Sequence, residues 1–184
     1  MLNRRDFVAG ALAAAPILPA FGQQPETARI FVGFTPGGLT DVMARRLADK
    51  MRGGYAPAML VENKPGASGQ IAITQVKDSP ADGSVLLLTH SSALAMYPFT
   101  FKKLPYDPAK DLLPVSLVCH TNHALAVGPL VPASVANLKD FVAWVKANPD
   151  KANTGTPGLG SMPHLVVAVV NQQTGLELKP VPYK

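Results

Sequence analysis

The chain has 184 residues and a net charge of +5, from 17 Lys+Arg against 12 Asp+Glu. Apolar residues make up 47% and charged residues 16%, enough apolar side chain for a packed core, which excludes a disordered tail. The 18 prolines and 15 glycines lack a Gly-X-Y period, which excludes collagen, and a single cysteine, Cys119, excludes a disulfide framework or a cysteine-built zinc site.

Residues 1–22 combine a basic start (Arg4, Arg5), an apolar stretch from Val8 to Leu18 and small residues near Gly22, the parts of an export signal. Arg4-Arg5-Asp6-Phe7 resembles the twin-arginine signal, with an ordinary secretory signal or an N-terminal helix as the alternative. Cleavage is expected after Gly22. No apolar run reaches the roughly 20 residues of a membrane helix.

Arg29–Phe34 reads as a buried strand, Thr35–Leu39 as a turn, and Thr40–Arg52 as a helix with period 3.6 that Gly53-Gly54 stops. Met59–Val61 is a second strand, Gly69–Lys77 a helix, and Val85–Thr89 a third strand, apolar throughout as if covered on both faces. This β-α-β-α-β order predicts parallel strands with right-handed crossovers. A looser stretch follows from Tyr97 to Asp111. Val115–Cys119 and Ala124–Val127 read as two further strands. Asn137–Ala147 reads as a helix capped by Asn137, Ala152–Thr154 as a short strand, Ser161–Gln173 as a helix and Leu178–Pro182 as a last strand. The alternation restarts after about His120. The expected architecture is therefore α/β with two lobes, 23–120 and 121–184, the second with too few elements to cover both faces of a sheet.

Three junctions between a strand's carboxyl end and a helix's amino end are candidate binding sites, because helix-opening N–H groups lack internal partners and favour anions. The first is Thr35-Pro36-Gly37-Gly38-Leu39-Thr40-Asp41, where a tight turn capped by Thr40 or Asp41 is the structural alternative. The second is Gly155–Leu165, with Gly158, Gly160, Ser161 and His164. It has neither the dinucleotide order G-x-G-x-x-G nor the Lys of a P-loop, and a Ser cap followed by Pro163 explains it equally well. The third is Thr89-His90-Ser91-Ser92, where Ser92 as a cap is as economical as a ligand contact.

Catalysis has less to build on. No G-x-S-x-G elbow occurs. Ser161 and His164 share a helix face, but no orienting acid or oxyanion hole is marked. Cys119 in a predicted strand reads as a buried, inert thiol. A small exported hydrolase using Ser161 or Cys119 remains the rival class. His90, His120, His123 and His164 lack metal-site spacing, so no metal is expected. The basic pairs Arg45-Arg46 and Lys102-Lys103 form no stripe suited to nucleic acid, while a mild positive charge suits an anionic ligand.

Taken in order, Phe34–Asp41, Val61-Glu62-Asn63-Lys64-Pro65-Gly66-Ala67-Ser68-Gly69, Pro80–Gly83, Leu104–Pro108, Asp111–Val115, Gly158–Ser161 with His164-Leu165, and Val181-Pro182-Tyr183-Lys184 resemble the tripartite tricarboxylate transporter substrate-binding receptors, also called the Bug family. The resemblance runs from about Ile30 to Lys184. It implies a periplasmic, type II-like binding protein that is not an enzyme, needs no cofactor, and closes two lobes over a small carboxylate. It further implies a monomer and a membrane transporter as partner. Carried over residue by residue, ligand contacts fall at Thr35, Gly37, Gly38, Thr40 and Asp41, with Ser91 and Ser92 beside them, and at Gly158, Gly160, Ser161 and His164. The chain departs from the family at Ser84, usually Tyr, and at Ala168, commonly Glu. Family members also continue past Val-Pro-Tyr-Lys, so a truncated receptor or a non-binding remnant is expected here.

Overall fold

The computed structural model describes residues 24–183, so the expected export segment lies outside the described residues. Strand β1 (Thr27–Val32) is followed by helix α1 (Leu39–Met51), β2 (Ala58–Asn63), a 3-10 turn (Ala67–Gly69), α2 (Gln70–Lys77) and β3 (Val85–Leu88). The three strands form one parallel sheet in the order β2-β1-β3, with Ile30 opposite Val61 on one side and Leu86 on the other. Alternation along β1 sends Ala28, Ile30 and Val32 to one face, where Ala44 and Ala48 let α1 approach the sheet closely. Ile73 of α2 packs on the opposite face with Leu87, Ala93, Tyr97 and Tyr106. Fully burying Ile30 or Ile73 contributes about 1.5–3 kcal/mol each. Because β1 leads to β2 on one side and β3 lies on the other, the carboxyl ends of β1 and β3 flank a topological switch point, where open α/β sheets bind ligands.

The Tyr97–Asp111 stretch holds more regular structure than its composition suggests. Helices α3 (Ser91–Ala95), α4 (Tyr97–Thr100) and α5 (Pro108–Asp111) are short, and two carry Pro in the first turn. β3 is half-buried at every residue rather than covered on both faces, because it lies at the sheet edge.

The strands expected at Val115–Cys119 and Ala124–Val127 do not form. Residues 112–136 contain neither helix nor strand, and Val115 is 84% exposed. β-branched residues favour strands only where a neighbour supplies a ladder and a surface to pack on, and here no described strand pairs with them. Cys119, expected to be buried, is exposed for the same reason.

The second unit is smaller. Helix α6 (Leu138–Ala147) starts at Asn137, whose side-chain oxygen accepts the Asp140 N–H at 3.0 Å, as expected of an N-cap. Strand β4 (Asn153–Thr156), helix α7 (Met162–Thr174) and β5 (Lys179–Pro182) complete a two-stranded parallel sheet. Phe141, Val145, Val167, Leu176 and Leu178 form its core. Asn171 clasps Leu178 through both main-chain groups at 2.9 Å, which fixes the entry into β5. Among the described residues no helix is long and apolar enough to cross a membrane.

Candidate functional site

The turn after β1 is held by side chains of its own unit. Gly38 occupies the N-cap position of α1, which places Asp41 at the third helical residue with its carboxylate facing back over the turn. Asp41 is only 3% exposed. It accepts the Gly37 N–H at 2.9 Å, Arg45 Nε at 3.0 Å and Asn63 Nδ2 at 2.9 Å. A second Arg45 nitrogen lies 3.0 Å from Asp41 Oδ1, and Asn63 Nδ2 also donates to the Phe34 carbonyl at 3.0 Å. Arg45, then the Gly37 amide, hold the Asp41 carboxyl down at about pH 2, against the cost of its burial. Asp41 is therefore not the N-cap of α1, and its carboxylate is engaged by Gly37, Arg45 and Asn63. Its acceptors are spent on the protein, and so is the Gly37 N–H. Thr35 and Gly38 are exposed on the turn and Thr40 is half-buried behind it.

The 66–69 turn carries more backbone strain than its sequence announces. Gly66, Ala67, Ser68 and Gly69 all have positive φ, with Ala67 at 48° and Ser68 at 56°. Left-handed conformations of residues with a side chain cost of order 1–3 kcal/mol and persist only where surroundings impose them. Here Tyr97, fully buried, donates its hydroxyl to the Ser68 carbonyl at 3.0 Å. Gly33 packs so tightly that a Cβ on it would lie 2.6 Å from Gly69 Cα. The His90 ring sits between Phe34, 5.0 Å away, and Tyr97, 5.8 Å away, and burial pushes its imidazole down to about 4, so it is neutral at neutral pH.

The Gly-rich turn after β4 is held largely from across the molecule. Gly158 lies against Ser68, where a Cβ would come within 3.1 Å of the Ser68 hydroxyl. Gly160, at φ 72°, lies against Phe101 and Thr100. The first N–H of α7, on Met162, donates to Ser92 Oγ at 3.0 Å. Ser92 is thus not the cap of α3, whose N-cap position is His90. It serves a helix 70 residues away in sequence. Ser161 stands at the N-cap position of α7 without capping it, because its hydroxyl donates to the Gly158 carbonyl at 2.7 Å. His164 Nδ1 accepts the Gly160 N–H at 3.2 Å. Ser161 and His164 therefore make no hydrogen bond to each other, and the pair that a serine hydrolase requires is not assembled. The Thr156 hydroxyl, buried immediately before this turn, has no hydrogen-bond partner among the described residues.

A cavity of about 200 Å3 opens where these segments meet. Its walls are Gly33 and Phe34 after β1, the Gly66–Gly69 turn, Pro157–Leu159 after β4, and Pro182 with Tyr183 at β5. The carboxyl ends of strands from both units thus share one hollow. Of the residues singled out in the sequence, Gly158 lines it. Ser92, Gly160 and Ser161 are buried in the packing behind it, while Ser91 is exposed on α3. The sequence reading missed the Gly66–Gly69 turn and Phe34 as walls. Two glycines flanking Ala67-Ser68 directly after Pro65 were the available signal. Among the described residues no group of three His, Cys, Asp or Glu side chains is placed to hold a metal ion.

Two parallel α/β units thus share a crevice at their strand ends, where open α/β sheets bind ligands. Residues 43–184 match the tripartite tricarboxylate transporter family receptor, and the chain belongs to that family. It is 35% identical to the protein BugT of Bordetella pertussis over 179 residues, which cover 97% of this chain and 54% of BugT. The structure of R. palustris Rpa4515 with adipate superposes with a TM-score of 0.80 at 31% identity, covering 86% of this chain and 52% of the other. MatC from Rhodopseudomonas palustris with bound malate superposes at 0.69 with 26% identity, over 85% of this chain and 53% of that one. The chain spans about half the length of the relatives it matches.

Proposed function

We propose that this chain is the cleft-forming part of a periplasmic receptor for a small carboxylate, exported through residues 1–22 and supplying a tripartite tricarboxylate-type transporter as a monomer. The lobes divide at residues 23–120 and 121–184, and the crevice between them receives the acid. The observation that carries this reading is the shared cavity, where glycine-bearing turns from both units bring main chain to one hollow. Main-chain N–H groups at helix starts and left-handed turns stabilise an anion without a paired cation. Kinship with receptors solved with adipate and with malate supports the same class of ligand.

In this reading Gly158 meets the ligand in the cavity, and Thr35, Gly38, Thr40, Ser91 and His164 are further contacts proposed on the turns beside it. Asp41, Gly37, Ser92, Gly160 and Ser161 hold the turns that present them. Calorimetric titration of the purified chain with adipate, malate, citrate and acetate tests the proposal. Saturable binding of at least one acid is expected, and heat no greater than that of acetamide injections for every acid would refute it.

A further inference from the structure

The chain that joins the two units differs from both of them. From Leu112 to Gly128 it carries no helix, strand, turn or bend, so it runs locally extended. Among the described residues, no main-chain N–H from Leu113 to Val127 donates to another main-chain group, and the Leu117 carbonyl accepts only the Ser116 hydroxyl, at 3.4 Å. No residue of 113–134 joins or packs against any of the three core clusters. Leu113 is 89% exposed, Leu117 69% and Val127 49%. Composition narrows what can recognise this run. No Asp, Glu, Lys or Arg lies between Asp111 and Lys139, and no aromatic residue lies between Tyr106 and Phe141. Pro114 and Pro129 bound it, with no proline between them.

We infer that the run from Val115 to Val127 is a processing site for an endoprotease whose specificity pocket takes an aliphatic side chain. Such a cleft binds its substrate as an added strand, with main-chain hydrogen bonds giving affinity and alternate side chains entering pockets. A segment inside either unit must first open, at a cost that rises toward the global stability, whereas this run is already open. Pockets built for a basic, acidic or aromatic residue find none here. The hydrolysis consumes a water: the peptide C–N bond breaks, the carbonyl carbon takes the hydroxyl and the new amine takes the proton. A cut leaves the core clusters of both units whole and removes the covalent link between the two sides of the shared cavity.

Limited digestion of the full chain with pancreatic elastase, read by fragment mass, tests this. Cuts before residue 24 are told apart by mass. Within 24–183 the first cut is expected between 115 and 128, about 10-fold faster than any other. Thr121→Arg places a trypsin site in the run, and trypsin is expected to cut there about 10-fold faster than at Lys102 or Lys103, which adjoin the packed Phe101 and Leu104. Asp41→Ala is expected to speed cuts inside 24–111 while the rate in the run stays within about 2-fold, because no opening step precedes that cut. A first elastase cut elsewhere in 24–183, or trypsin resistance of the new site, would overturn the inference. So would cleavage in the run that slows as protein concentration rises, since a second copy would then cover it. A rate in the run that climbs in Asp41→Ala in step with cuts inside 24–111 would also overturn it, by showing that unfolding exposes the site.

Discussion

The two glycine-rich turns at the strand ends look alike in sequence but are held in different ways. The turn after β1 is fastened from within by Asp41, Asn63 and Arg45, all in the first unit. The turn after β4 borrows its support: Gly158 rests on Ser68, Gly160 on Phe101, and the Met162 N–H on Ser92. The first turn is therefore braced within its own unit, whereas the second is braced by contacts from the first unit.

The comparison breaks most severely at Asp41. Asp41→Ala leaves the Gly37 N–H and the Asn63 amide without their acceptor and frees Arg45. Hydrogen bonds to a charged group contribute about 1.5–3 kcal/mol each, and Arg45 recovers water, so a loss of about 3 kcal/mol is expected. For a chain of this size that lowers the melting temperature by about 6–12 °C. The same carboxylate gives a pH signature. Its folded pKa, about 2, lies below its ordinary value of 3.8, so its stabilisation is complete above about pH 4 and is lost as pH falls toward 2. Chemical denaturation at pH 7, 4 and 2.5 should show the wild-type advantage over Asp41→Ala shrinking across the lower two points. An equal advantage at all three would show that the charge contributes nothing.

Gly160→Ala breaks the other turn. The added Cβ would sit 2.8 Å from the Phe101 ring and 2.9 Å from the Thr100 hydroxyl, at a φ of 72° that disfavours any side chain. Overpacking and the left-handed backbone together are expected to cost about 2 kcal/mol. The damage falls on the contact between units, so hydrogen exchange should accelerate at 158–162 while β1 and α1 keep their protection. Uniform acceleration through both units would mean the second turn is not separately held.

Much of this architecture was legible in the sequence. The first helix, the two helices of the second unit and the Asn137 cap follow from apolar period and capping chemistry, which are local. The two absent strands, 115–119 and 124–127, were misread because apolar alternation records a preference for a partner without revealing whether one pairs. At the site, glycines marked the turns correctly, but the sequence did not reveal which hydroxyls and carboxylates face inward. The motif gives no sign that the Asp41 carboxylate binds Gly37, Arg45 and Asn63, or that the Ser161 hydroxyl donates to the Gly158 carbonyl. The Ala67-Ser68 strain was invisible because it is imposed by Tyr97 and Gly33, distant in sequence.

The finest test separates Ser92 from both turns. Ser92→Ala removes one acceptor, from the Met162 N–H, and leaves Asp41, Gly158 and Gly160 as they are. A neutral hydrogen bond contributes about 1 kcal/mol, which corresponds to about a 5-fold change in a local opening equilibrium. Exchange of the Met162 amide should therefore quicken by about that factor, with protection of β1 and α1 unchanged. Ser91→Ala is the control: Ser91 is exposed on the same helix and its replacement should leave Met162 unaffected. If Met162 exchanges no faster in Ser92→Ala, the second turn does not depend on the first unit through this bond, and its bracing rests on the Gly158 and Gly160 contacts alone. If it does quicken, a single hydroxyl of the first unit orders the first amide of the helix that follows the second turn.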